Sequence, residues 1–156
     1  MPVNLRSLRI VIEHAERQRD SAGVAVAHAM RELGSAQLQL RQLTDYASDG
    51  EVKWRARAAE GVSVPLLQHQ RAFVEKIQQA VDFQGNVIQQ KEANLARAHA
   101  NLQAKEQTLA TLKKVAERAA QAKAMAEYKR EQKLTDEMAM SMLAFQRREQ
   151  EQEALT

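Results

Sequence analysis

Four histidines are the side chains best suited to acid–base chemistry or metal binding near neutral pH, and they are scattered along the chain. No two of them lie at the spacing of a metal-ligand motif, and the sequence has no cysteine to supply a thiolate or a disulfide. It also contains no glycine-rich phosphate loop and no GxSxG or HExxH motif. The sequence therefore predicts no cofactor, no metal site and no enzyme activity. The histidines are His14, His28, His69 and His99.

Aromatic residues gather in one short region, which is the best candidate for binding chemistry. The stretch from Leu43 to Phe73 holds three of the six aromatic residues, two of the five glycines and the only internal proline. A surface turn accounts for the glycines and the proline, but it does not account for the aromatic side chains. Half-exposed aromatic side chains are favoured anchors of protein interfaces, so the elements that position them matter.

The composition is that of long helices rather than of a thick globular core. Alanine, glutamine, glutamate, lysine, arginine and leucine dominate, and aromatic residues are only 4%. The net charge of +3 comes from 23 basic and 20 acidic residues that are interspersed. This mixture is typical of solvated helix surfaces and disfavours nucleic acid as a partner, because such binding needs a stripe of one sign.

The first half of the chain follows a heptad pattern typical of a coiled coil. Positions spaced alternately by three and four residues are apolar, with one polar exception at Arg19. The pattern predicts a first helix over about 4–60. Its seam residues are Leu5, Leu8, Ile12, Ala15, Arg19, Ala22, Val26, Ala29, Leu33, Ala36, Leu40, Leu43 and Ala47.

A turn is predicted at about 61–63, followed by a second helix over about 64–150. Gly61 favours a helix end because glycine readily adopts a left-handed conformation. Ser63 is suited to cap the next helix, and Pro65 is tolerated in its first turn. The seam of the second helix runs from Val74 to Ala126, with four polar interruptions. The whole chain, 1–156, is predicted to form a single α-helical domain.

Packing the two helices around this turn pairs residues whose numbers add to about 124. Alanines of one helix then face large residues of the other, as close packing requires. Ala22, for example, faces Leu102. Arg19 opposite Lys105 is the one unfavourable layer. The predicted fold is all-α: an antiparallel two-helix coiled-coil hairpin with a longer, overhanging C-terminal helix.

The overhang is predicted to continue past the hairpin for roughly 30 residues, or about 45 Å. It carries exposed apolar side chains, and methionine adapts well to irregular partner surfaces. A partner protein or a contact within a dimer would each cover them. These residues are Met125, Met138, Met140, Met142, Leu143 and Phe145.

A second row of residues flanks the seam near the turn. Gln39, Tyr46, Phe73 and Ala80 share one heptad position, and three seam residues lie next to them. We call the combined set the aromatic strip. It is either a belt that covers the end of the helix pair or a docking surface for a partner. Its members are Gln39, Leu43, Tyr46, Phe73, Ile77, Ala80 and Gln84.

Three sequence elements, in this order and at this spacing, resemble the FliJ family of flagellar type III export proteins. They are LTDY at the end of the first helical stretch, EGVSVPLLQHQRAFVEKIQQAV around the turn, and KREQKLTDEMA near the C-terminus. The similarity covers nearly the whole chain. One departure is Gly50, near where family members often carry a second tyrosine.

The resemblance implies a stalk protein that enters the ring of the hexameric flagellar export ATPase. It also implies binding to the cytoplasmic domain of the export gate protein FlhA and handling of export chaperones. By resemblance, the aromatic strip matches the gate-binding surface. The residues that match the part entering the ATPase ring are Arg130, Gln132, Lys133, Asp136, Glu137 and Met138.

The expected location is the cytoplasm, peripheral to the inner membrane at the flagellar base. No stretch reaches the roughly 18–20 apolar residues of a membrane span. Two alternatives stay open from the sequence. One is the equivalent stalk of a virulence type III secretion system, and the other is a generic coiled-coil scaffold or homodimer.

Overall fold

Two α-helices make up the fold in the computed structural model, which describes residues 4–156. Helix α1 spans Leu5–Ala58 and helix α2 spans Val64–Ala154, with no β-strand among the described residues. The predicted all-α fold of two packed helices is confirmed. Helix α1 ends slightly before the predicted position of about 60, and α2 continues slightly past 150. Residues 1–3 of the predicted 1–156 domain lie outside the described residues.

Polar residues and a glycine fix the ends of the helices. The Oδ1 atom of Asn4 accepts hydrogen bonds from the backbone N–H groups of Arg6 and Ser7, at 3.0 and 3.4 Å. Between the helices, Gly61 has a φ of +102°, a conformation that favours glycine. The N–H of Leu66 donates to Ser63 Oγ at 3.4 Å, so Ser63 caps α2.

The chain divides into two compact units, of which residues 15–108 form the larger. This unit contains the turn and long stretches of both helices. Its buried residues on α1 are mainly alanines that repeat every seven residues, and small side chains let two helices approach closely. The facing positions on α2, such as Leu95 and Leu102, are half-buried. The buried residues of α1 are Ala15, Ala22, Val26, Ala29 and Ala36.

Contacts within this unit show that the two helices run antiparallel. Lys91 Nζ lies 2.9 Å from Glu32 Oε2, and Gln84 Nε2 lies 3.1 Å from Gln39 Oε1. In both pairs the residue numbers add to 123, close to the predicted value of 124. The register is therefore close to the one that matches small residues with large ones.

Arg19 occupies the one polar position of the α1 seam. Its guanidinium donates to Oδ1 of the neighbouring Asp20, at 3.1 Å from Nε and 2.9 Å from Nη2. The contact holds the guanidinium of Arg19 against the next residue of α1. The unfavourable layer expected with Lys105 is relieved because the Arg19 charge has an acidic partner.

The second unit consists of residues 4–14 and 109–156. Here the beginning of α1 provides half-buried Leu5, Leu8 and Ile12, while Leu109 of α2 is buried. Every residue from 120 to 156 is exposed. We call residues 120–154 the C-terminal segment, and within this unit nothing covers it.

Candidate binding surfaces

The centre of the aromatic strip is a contact between two rings on different helices. The ring centroids of Tyr46 and Phe73 lie 5.9 Å apart with an angle of 67° between their planes, an edge-to-face arrangement. Such pairs contribute about 0.5–1.5 kcal/mol beyond the burial of their area. Phe73 is half-buried, whereas Tyr46 is 59% exposed. The contact therefore fixes the Tyr46 ring while leaving most of it available to a partner.

The other members of the strip lie at three depths. Leu43, Ile77 and Ala80 are half-buried, and Gln39 is exposed. Gln84 is only 8% exposed and donates to the backbone oxygen of Ala36 at 2.9 Å as well as to Gln39 Oε1. The structure thus brings members of the strip on both helices into contact. Gln84 lies beneath the surface and orients the amide of Gln39.

Gly50 lies beside the ring of Phe73 and has no side chain to contact it. A Cβ atom added at Gly50 would lie 3.7 Å from Cε1 of Phe73, which is ordinary van der Waals contact. Any larger side chain at this position would extend over or past the Phe73 ring. The glycine therefore changes the shape of the surface at the point where the sequence departs from the FliJ pattern.

A groove of about 600 Å³ borders the strip, and the heptad pattern did not predict it. Trp54 forms part of its wall, and Phe73 and Ile77 belong to both surfaces. The small seam residue Ala47 was the available signal, because a small side chain in a seam leaves volume unfilled. The groove is lined by Thr44, Ala47, Ser48, Glu51, Trp54, Gln70, Phe73, Val74, Ile77, Gln78 and Val81.

The six residues matched to the ATPase-binding part of the family all lie in the C-terminal segment and are all exposed. At about 100° per residue they are distributed around the helix rather than on one face. Met138, for example, is 67% exposed and lies on a different side from Gln132 and Asp136. This segment can therefore contact a partner from several directions at once.

An ion-pair cluster links the two helices away from these surfaces. Glu32 accepts from Lys91 across the helix pair and lies 3.0 Å from His28 Nε2 on its own helix. The hydrogen bond and the charge of Lys91 lower the pKa of the Glu32 carboxyl, with a smaller contribution from His28. Within residues 4–156, no group of three or more acidic, histidine or cysteine side chains is arranged to hold a metal ion.

This fold defines a coiled-coil hairpin, a class of protein that presents long helical surfaces. Residues 5–151 match the family described as the flagellar FliJ protein, and the chain therefore belongs to the FliJ family. Membership implies a role in flagellum biogenesis and association with the type III export apparatus. None of the curated proteins compared with the chain matches it. In the part of the chain that the structure describes, no helix has the length and apolarity needed to span a membrane.

Proposed function

We propose that the chain is the stalk of the flagellar export apparatus. Its C-terminal segment binds the hexameric export ATPase ring, and its aromatic strip binds the cytoplasmic domain of the gate protein FlhA. The chain couples the ring to the gate and handles export chaperones, with no catalysis of its own. It works in the cytoplasm, peripheral to the inner membrane at the flagellar base.

The observation that carries the proposal is the uncovered C-terminal segment. A helix that is exposed on every side lacks the tertiary packing that supplies most helical stability in proteins. A pore formed by a ring of subunits surrounds an inserted helix and contacts it all round. Met138 on one side of the helix and Gln132 and Asp136 on another, all exposed, support that mode of binding.

The aromatic strip supports a separate contact with the gate. Tyr46 presents a large, amphipathic ring that Phe73 already holds in place, so little side-chain entropy is lost on binding. Gln39 is held in the same way by Gln84. Preordered aromatic and polar groups on one surface are the usual composition of an interface centre.

A binding titration with the FlhA cytoplasmic domain tests the gate contact. The Tyr46→Ala/Phe73→Ala variant should bind at least about tenfold more weakly, equivalent to about 1.4 kcal/mol. Phe83→Ala is the matched control, because Phe83 is 68% exposed on the same helix and lies outside the strip. Equal affinity of the double variant and the control would refute the assignment of the strip, provided that both retain the circular dichroism spectrum of the parent.

A further inference from the structure

The C-terminal segment carries an apolar stripe with charges arranged around it in a pattern that is complementary to itself. From this pattern we infer that the segment pairs with the same segment of a second copy of the chain, as an antiparallel coiled coil. The inference goes beyond the proposed function, because it concerns the chain when it is free of its export partners.

The stripe lies on one side of the helix. At 100° per residue, its members fall within a sector of about 100°, the width of a typical packing face. Met142 is 64% exposed and Phe145 is 62% exposed. Other apolar residues, such as Met125 and Leu143, lie outside this sector and do not contribute. The members of the stripe are Leu134, Met138, Ser141, Met142 and Phe145.

An antiparallel second copy would fill this stripe layer by layer. With the two copies aligned so that facing residue numbers add to 279, Leu134 faces Phe145 and Met138 faces the smaller Ser141. Each layer occurs twice because the arrangement is two-fold symmetric. These layers use four of the five stripe residues as facing knobs, and Met142 lies at the edge of the stripe.

The charges select the antiparallel direction. In this alignment, Glu131 of one copy faces Arg148 of the other, and Arg130 flanks the seam beside Glu151 of the other copy. A parallel alignment would instead place Glu131 against Glu131 and Arg148 against Arg148. Glu131 and Arg148 extend the stripe at its two ends, and Arg130 and Glu151 lie on its flank. The antiparallel alignment joins opposite charges at both places, and the parallel one does not, so the antiparallel pair is favoured.

The same charged side chains are not used within a single chain. No side chain between 121 and 153 takes part in a salt bridge in the part of the chain that the structure describes. Pairing two copies would add contacts to helices that are otherwise exposed, so no existing ion pair has to break. Residues Arg130 and Met138, which the proposed ring contact also uses, would be partly covered in the pair.

Sedimentation velocity over a range from low to high micromolar concentration tests the inference with the full chain alone. The parent should associate reversibly to a dimer. Glu131→Arg and Arg148→Glu each place like charges together twice per dimer and should weaken association by about tenfold. A chain carrying both changes should dimerise like the parent. An equimolar mixture of the two single variants should do the same, because only their heterodimer restores both opposite-charge pairs.

A parent that stays monomeric at every concentration would overturn the inference. Single variants that dimerise as well as the parent would also overturn it, because that is the result of a parallel pair. Since no ATPase or gate protein is present and neither Glu131 nor Arg148 belongs to the proposed ring-binding set, failure here would leave the proposed function untouched.

Discussion

Individual polar residues between the helices show what a heptad pattern can and cannot reveal. The sequence identified Gln84 and Lys91 as polar interruptions of the α2 seam, and the structure gives each a partner on α1. Gln84 reaches a backbone oxygen, and Lys91 reaches Glu32. The interruptions could be predicted from spacing, but their partners could not, because these depend on side-chain rotamers and on which flank each residue approaches.

Gln84 should contribute measurably to stability. Gln84→Ala removes two hydrogen bonds at a buried position and leaves space in the seam. We expect the free energy of unfolding to fall by about 1–2 kcal/mol. Gln78→Ala is the matched control, since Gln78 is exposed on the same helix and bonds to Asp82 one turn away. Chemical denaturation measures both. Equal effects of the two changes would show that the bonds of Gln84 add nothing.

Glu32 should make stability depend on pH in the acidic range. Because Lys91 lowers the pKa of the Glu32 carboxyl in the folded chain, the unfolded chain binds its proton more readily. The stabilisation is therefore present above the usual glutamate pKa and is lost as pH falls through the lowered value. The difference in Tm between the parent and Glu32→Gln should be largest at neutral pH and should shrink on acidification. Glu92→Gln, at an exposed position on α2, is the control for the general effect of removing one carboxylate. A Tm difference for Glu32→Gln that stays the same at every pH would contradict this prediction.

The helices as elements were more predictable than their details. Alanines repeating every seven residues and the Gly61 to Ser63 sequence indicated the packing seam and the turn, and both follow from backbone geometry and side-chain size. The cap at Asn4 was not identified, because asparagine is equally common in turns. The groove beside Trp54 was missed as well. Its volume depends on how several half-buried side chains pack, which a repeat does not specify.

Two glycines in different settings should respond to alanine in opposite directions. Gly61 has a φ of +102°, so Gly61→Ala forces a side chain into a strained conformation and should cost about 1 kcal/mol. Gly23 lies within α1, and an added Cβ there meets nothing within 4 Å. Gly23→Ala should therefore stabilise the chain by about 1 kcal/mol. Thermal unfolding followed by circular dichroism measures both variants. Tm shifts of the same sign would contradict the different roles given to the two glycines.

At the scale of the whole molecule, local stability should differ between the packed helices and the C-terminal segment. Exposed helices without tertiary contacts open readily. Trypsin should therefore cut the chain first after Lys123, Lys129 or Arg130, rather than within residues 15–108. The digestion is brief and uses the chain alone at high dilution. Mass spectrometry identifies the fragments. Early cleavage near Arg41 or Arg71 would show that the packed unit is the less stable part.

The sequence motifs indicated the family, and the match over residues 5–151 established it. The partner-binding roles of particular residues are less accessible from sequence, because they depend on surfaces that exist only in an assembly. Gly50 illustrates this limit. The sequence showed a departure from the family pattern, and only the structure showed that Gly50 lies beside the Phe73 ring.

The most direct test of the stalk proposal is the activity and ring assembly of the cognate flagellar export ATPase with three forms of the chain. The parent should stimulate both. A chain cut after Ala119 should not, because it lacks the C-terminal segment. The Tyr46→Ala/Phe73→Ala variant should stimulate like the parent, because the aromatic strip serves a different partner. If the parent fails to stimulate, or the shortened chain stimulates equally well, the proposed entry of the C-terminal segment into the ring is wrong.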